Sequence, residues 1–167
     1  MKIGLISDTH GYLDEKIFRH FEDVDEIWHA GDLGTIVVAD QLSKLKPFRA
    51  VYGNIDGKGL RIRYPEDLIF ELEGLKIWMT HIGGYPPSYE PRVRRQIDII
   101  SPQIFISGHS HILKVIPDKK RPGLIHINPG AAGQQGFHRM RTIIKMEIAN
   151  GKIMDMKVVE LGKRGRM

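Results

Sequence analysis

The apolar positions of the chain fall into short runs, and what separates them changes part-way along. Residues 2–7, 26–29 and 48–52 form three such runs. Between them, Ile17, Phe18 and Phe21 share one face of a helix over 14–21, behind an acidic first turn, and 36–45 reads as a second helix closed by Pro47. Strand and helix therefore alternate through the first third, which implies parallel strands with helices packed on the sheet. The middle differs. Residues 67–72 alternate, Glu73-Gly74 turns, and 75–79 completes a hairpin. Tyr85-Pro-Pro-Ser reads as a loop, 91–100 as a basic amphipathic helix, and 104–106 as a buried strand. Beyond it, 113–116 and 124–128 flank a polar turn, and 142–148 and 152–160 flank Asn150-Gly151, a strong hairpin signal. The last third is thus expected to be antiparallel β.

Composition narrows the class. The 167 residues suit one domain, spanning 1–167, with one substantial core. Apolar residues make up 41% and charged residues 27%, as in ordinary globular proteins. No apolar run is long enough to span a bilayer, and residues 2–7 lead directly into a strand rather than a signal peptide. With zero cysteines, a cytoplasmic setting is expected, and disulfides, thiolate metal sites and cysteine nucleophiles are excluded. The formal charge is +5, part of it in Lys163-Arg164-Gly165-Arg166, which reads as a solvated, frayed tail. No aromatic–basic interleaving of the kind that grips single strands accompanies it, so nucleic acid is not the expected partner.

The chemistry sits where the strands stop. The apolar runs give way in turn to Asp8 and His10, to Asp32, to Asn54, to His81, and to His109 and His111. All seven side chains can bind a metal through oxygen or nitrogen. In open α/β sheets, ligands bind beyond the carboxyl ends of the strands, and neighbouring parallel strands would bring these residues to one edge. Gly11, Gly31, Gly53, Gly83 and Gly108 accompany them and permit sharp turns and close approach. Two aspartates, four histidines and one asparagine suit two divalent ions, each taking about four to six ligands, if one aspartate bridges. A nitrogen–oxygen set without sulfur favours Mn, Fe, Ni, Co or Zn over Mg or Ca. Two ions about 3.5–4 Å apart serve in-line displacement at phosphorus.

Asp8-x-His10, Gly31-Asp32, Gly53-Asn54, His81 and Gly108-His109-x-His111, in this order, resemble the calcineurin-like metallophosphoesterase superfamily. The likeness is to its small YfcE-type phosphodiesterase branch, related to the metallophosphoesterase-like subunit of retromer. It implies an α/β (α+β) fold, a two-sheet mixed β-sandwich flanked by helices. It also implies that Asp8, His10, Asp32 and His111 hold one metal, and that Asp32, Asn54, His81 and His109 hold the other. Manganese is the first expectation for that pair. The implied reaction is hydrolysis of small phosphodiesters by a metal-bridging hydroxide. Asn128-Pro-Gly130 resembles the family's late loop beside the site. One position departs: where many members carry a histidine that protonates the leaving group, this chain has Ile55, followed by Asp56. Asp56 is expected to orient a ligand rather than to act as the acid.

Other candidates have blander readings. His29 is expected to be structural or to support a ligand from behind, His20 and His126 to lie on a surface or core face, and His138 to face solvent rather than approach substrate. Arg61 and Arg63 fit a solvated edge strand as well as a phosphate contact. Arg92, Arg94 and Arg95 fit the wet face of a helix. A non-catalytic, protein-binding scaffold is the competing class of function, and the edge hairpins leave a homodimer open.

Overall fold

The structure is a computed structural model that describes residues 1–165. In chain order the elements are β1 (Lys2–Ile6), α1 (Glu15–His20), β2 (Glu26–His29), α2 (Ile36–Leu45), β3 (Phe48–Ala50), α3 (Lys58–Arg63), β4 (Asp67–Leu72) and β5 (Leu75–Thr80). There follow β6 (Gly84–Tyr85), β7 (Ser88–Tyr89), α4 (Pro91–Ile100), β8 (Ile104–Ile106), β9 (Lys114–Pro117), β10 (Ile125–Asn128), β11 (Met140–Ala149) and β12 (Lys152–Lys163).

Two five-stranded mixed sheets pack face to face, with strand orders β12-β11-β1-β2-β3 and β4-β5-β8-β10-β9. In the first, β1, β2 and β3 are parallel; in the second, β5, β8 and β10 are parallel. The sandwich core takes Ile3, Leu5 and Trp28 from one sheet and Ile77, Met79, Ile104, Ile106 and Ile127 from the other, all essentially without solvent contact. The outer faces are covered too. Ile6 and Ile27 meet Ile17 of α1, Phe21 just past its end and Val38 and Leu42 of α2, while Trp78 and Phe105 meet Val93 and Ile97 of α4. Burial on both sides explains why the central strands read as continuous apolar runs rather than alternating ones. Each fully buried aliphatic or aromatic side chain stabilises the fold by about 1.5–3 kcal/mol.

The helix boundaries follow from capping. The Asp14 side chain accepts the backbone N–H of Lys16 at the start of α1. Glu90 caps α4, Pro91 opens it, and Ser101 ends it in the left-handed conformation. At the β11–β12 hairpin, Asn150 and Gly151 take positive φ, as the tightest turn requires.

Four expectations need correction. Residues 58–63, which include Arg61 and Arg63, form α3 and not an edge strand. Within the supposed loop at Tyr85, β6 and β7 pair as a two-residue hairpin. The last third is not wholly antiparallel, because β10 lies parallel to β8 while β9 pairs with it antiparallel on the outer edge. The tail is ordered through Arg164, whose backbone N–H reaches Arg139 O and whose guanidinium reaches His138 O and Gln134 O. Arg166 lies outside the described residues.

Candidate metal centre

Because β1, β2, β3, β5 and β8 run the same way within their sheets, the seven donors are delivered to one edge of the sandwich. Asp8, His10 and His111 form one group whose donor atoms all lie within 4.8 Å of one another, and Asp32, His81 and His109 form a second. The groups adjoin. Asp32 Oδ2 stands 3.1 Å from His81 Nε2 and 3.5 Å from His10 Nε2. Asp8 Oδ1 stands 3.1 Å from His111 Nε2 and 3.8 Å from both His10 Nε2 and His81 Nε2. Asn54 Oδ1 is 3.0 Å from His109 Nδ1. The structure therefore gathers all seven residues, with the Asp32 carboxylate between the two groups.

The local backbone is what turns these side chains inward. Eight non-glycine residues among those described have positive φ, and five of them are Asp8, His10, Asp32, His109 and His111. Such conformations cost on the order of 1–3 kcal/mol each and persist where the surroundings fix them. Two glycines make the crowding feasible: a Cβ on Gly53 would collide with the Asp32 carboxylate, and one on Gly108 with Ser7 Oγ and Asp8 Oδ2.

Each central donor is anchored by one atom and presents the other. Asp8 Oδ2 accepts from Ser7 Oγ (2.6 Å) and the His109 backbone N–H (3.2 Å), leaving Oδ1. Asp32 Oδ1 accepts from the Ile55 N–H (3.0 Å), leaving Oδ2. His81 Nδ1 donates to Ala30 O (2.7 Å), which fixes the tautomer and leaves Nε2 as a lone-pair donor. Three buried atoms, Asp8 Oδ1, His10 Nε2 and His81 Nε2, have no hydrogen-bond partner. Orphaned polar atoms are costly in a protein interior, and here they converge on the same space.

The electrostatics demand positive charge at that space. Burial pushes the Asp8 carboxyl up, but the imidazoles of His10, His111 and His81 clustered around it hold it well below the usual carboxylate range. Burial likewise opposes ionisation of Asp32, and His81 outweighs it to the same effect. The carboxylates act back on the rings. Asp8 raises His10 against its burial, with Asp32 adding to the effect. Burial lowers His81, but Asp32 and Asp8 outweigh it and leave it raised. His109, desolvated and facing His81, is shifted down.

A surrounding layer of residues holds the loops. Asp56 is buried and accepts three backbone N–H groups, from Gly34 (2.8 Å), Gly53 (2.8 Å) and Leu33 (3.2 Å). It thereby staples the Asp32 loop to the Asn54 loop, in line with the orienting role expected of it. Asn128 donates to Gly108 O and Ser110 Oγ behind the His109–His111 loop. His29 is structural, as expected: Nδ1 accepts the Gly31 N–H, Nε2 meets Thr9 Oγ1, and burial lowers its pKa to about 3. His126 is also a core residue, on Ser107 Oγ, and burial lowers it to about 4.

His138 lies beside the donor cluster and not in open solvent. It is half-buried with its ring 5.1 Å from that of His111, and Nε2 bonds Gly133 O. Arg92 also departs from the wet face, pairing with Asp67 at 2.7 Å and Thr80 at 2.8 Å, whereas Arg94 and Arg95 are exposed. Ser7 and the Ala30 carbonyl carried no sequence signal at all, since they act through backbone or anchoring contacts.

The profile of the calcineurin-like phosphoesterase superfamily domain matches residues 1–151, and the chain belongs to that superfamily. A probable metallophosphoesterase of Methanothermobacter thermautotrophicus is 32% identical over 138 residues, covering 78% of this chain and 77% of its own. A phosphodiesterase of Methanocaldococcus jannaschii is 29% identical over 150 residues, covering 78% of this chain and 83% of its own. Among solved structures, an archaeal phosphodiesterase superposes with a TM-score of 0.75 at 24% identity, covering 96% of this chain and 100% of its own. Vps29 of Entamoeba histolytica complexed with zinc gives 0.74 at 16% identity, covering 99% and 100%. These likenesses carry the metallophosphoesterase fold. The chain is a metallophosphoesterase-type hydrolase by family, and its two donor groups suit divalent metal ions. No helix among the described residues is long and apolar enough to cross a membrane.

Proposed function

We propose that this protein is a binuclear metal-dependent phosphodiesterase acting on small phosphodiesters. Asp8, His10, Asp32 and His111 would hold one ion, and Asp32, Asn54, His81 and His109 the other. The observation that carries this reading is the convergence of the partnerless buried atoms of Asp8, His10 and His81. Bound divalent ions would supply acidified water as nucleophile and offset charge on the phosphoryl oxygens. The sulfur-free donor set suits Mn, Fe, Ni, Co or Zn, and the family resemblance puts manganese first among them.

The chain's own residues supply aim and rigidity. Ser7, the Ala30 carbonyl and the Ile55 N–H fix the orientation of Asp8, His81 and Asp32, so that little reorganisation is needed when the reaction occurs. Ile55 cannot donate a proton, and both Asp56 oxygens are engaged by backbone N–H groups. Good leaving groups such as aryl oxides are therefore the substrates expected to react fastest. A cytoplasmic setting fits the cysteine-free composition.

The test is hydrolysis of bis-p-nitrophenyl phosphate with added Mn²⁺ by wild type, Asp32→Asn and His81→Ala. Activity in the wild type alone supports the proposal. Equal rates in all three proteins would overturn it and favour the competing reading, a non-catalytic protein-binding scaffold.

A further inference from the structure

A cavity of about 260 Å³ opens directly beside the metal centre, sharing Asn54 and His81 with it. Its wall carries two guanidinium groups, Arg61 and Arg92, and two carboxylates, Glu66 and Glu90, together with Tyr52 and Ile82. Arg61, Arg92 and Glu90 are held by hydrogen bonds to the protein, and Glu66 is exposed. Arg61 lies over the Tyr52 ring, 4.5 Å from its centroid, and bonds the carbonyls of Asp56 (2.7 Å), Asn54 (3.2 Å) and Gly53 (3.5 Å) through Nε and Nη2. Its Nη1 makes no hydrogen bond among the described residues, all of its hydrogen bonds running from Nε and Nη2 to backbone carbonyls. Arg92 is committed to Asp67 and Thr80. Glu90 caps α4 with Oε2, leaving Oε1 unengaged. Glu66 makes no side-chain hydrogen bond and stands 3.9 Å from Arg92 Nε.

The cavity thus offers unused donors and unused acceptors on one wall whose formal charges cancel. An anionic ligand would gain from Arg61 but oppose Glu66 and Glu90, and a cationic ligand would meet the reverse. A hydroxyl both donates and accepts, so it can satisfy a guanidinium N–H and a carboxylate oxygen at once without net charge. Tyr52 and Ile82 add apolar surface suited to the C–H faces of such a group.

We infer that this cavity binds the second, non-leaving arm of a phosphodiester, and that the arm is neutral and hydroxylated, as glycerol or a pentose is. The inference rests on the proposed phosphodiesterase activity and names its substrate class.

Four p-nitrophenyl phosphodiesters with one leaving group and different second arms (glyceryl, ethyl, 2-carboxyethyl and choline) test it on the Mn²⁺-loaded protein. The glyceryl ester should show kcat/KM about tenfold above the ethyl ester, the scale of one hydrogen bond to a charged group. Neither charged arm should exceed ethyl. Glu66→Ala and Arg61→Gln should each draw the glyceryl-to-ethyl ratio toward one; a ratio cancels any general damage to the Asn54 turn. Equal glyceryl and ethyl esters, a preference for a charged arm, or an intact ratio in both variants would overturn the inference. If no ester is cleaved, the phosphodiesterase proposal fails. Calorimetric binding of glycerol 3-phosphate against ethyl phosphate then decides the cavity separately: tighter glycerol 3-phosphate supports it, and equal affinity overturns it.

Discussion

The two ends of the sandwich use the same backbone conformation for different purposes. At the hairpin end, Glu73, Gly74, Asn150 and Gly151 take positive φ to reverse the chain, and the Gly151 N–H bonds Glu73 O at 2.7 Å, joining one sheet to the other. At the opposite end, Asp8, His10, Asp32, His109 and His111 take positive φ after a strand has ended, and the result is inward-facing donors without partners. One end spends strain on connection and leaves its polar groups satisfied. The other leaves them unsatisfied and mutually close. The convergence of unsatisfied polar atoms, rather than strain itself, therefore marks the functional end of this molecule.

The contrast can be broken in graded steps. Asp32→Asn, which keeps the shape but removes the central charge between the two donor groups, should lower Mn²⁺-dependent hydrolysis by on the order of 10³-fold. Steady-state kinetics with metal content measured in parallel checks this, and full metal loading with full activity would refute it. Asp56→Ala comes next. It orphans the N–H groups of Leu33, Gly34 and Gly53 and should cost about 3 kcal/mol or more in urea unfolding. Metal affinity or activity should fall about 10–100-fold as the Asp32 and Asn54 loops lose register.

A pH effect of intermediate size follows from the buried histidines. Burial holds His29 near 3 and His126 near 4, both below the ordinary imidazole value, so the unfolded chain binds protons that the folded chain refuses. Stability of the chelated protein should fall as pH drops below about 6.5, by about 1.4 kcal/mol per pH unit for each histidine. Replacing His126 by Gln should remove its share of that slope between pH 6.5 and 5. The smallest effect belongs to the hairpin end. A Cβ at Gly151 meets only open space near Gly74 O, 3.9 Å away, so Gly151→Ala should cost about 1 kcal/mol in conformational strain alone. Its kcat should match that of the wild type, and a loss of activity there would show that the two ends are coupled.

Much of this was legible in the chain because the signals are local. Each donor immediately follows an apolar run, so the position of a strand end and the identity of the next residue suffice to nominate it. Helices α2 and α4 announce themselves by apolar spacing, α2 also by the Pro47 beyond its end and α4 by Pro91 at its start. What the sequence hid is non-local or short. Helix α3 buries only Leu60 and is half basic, so it lacks an apolar stripe. The three apolar residues of β8 read alike beside a parallel or an antiparallel neighbour. His138 reaches His111 because Arg164, 26 residues further along, holds the backbone carbonyls of His138 and Gln134. Nothing near His138 in sequence announces that clasp.

The placement of positive φ at the donors has a bearing on how such proteins vary. Aspartate, asparagine and histidine are the non-glycine side chains that most readily accept a left-handed backbone, and they are also oxygen and nitrogen ligands. Two unrelated pressures, conformational tolerance and affinity for cations, thus select the same letters at Asp8, His10, Asp32, His109 and His111. An alanine scan at these sites would confound lost coordination with a misshapen turn. An aspartate-to-asparagine exchange at Asp8 or Asp32 preserves the turn and isolates the charge.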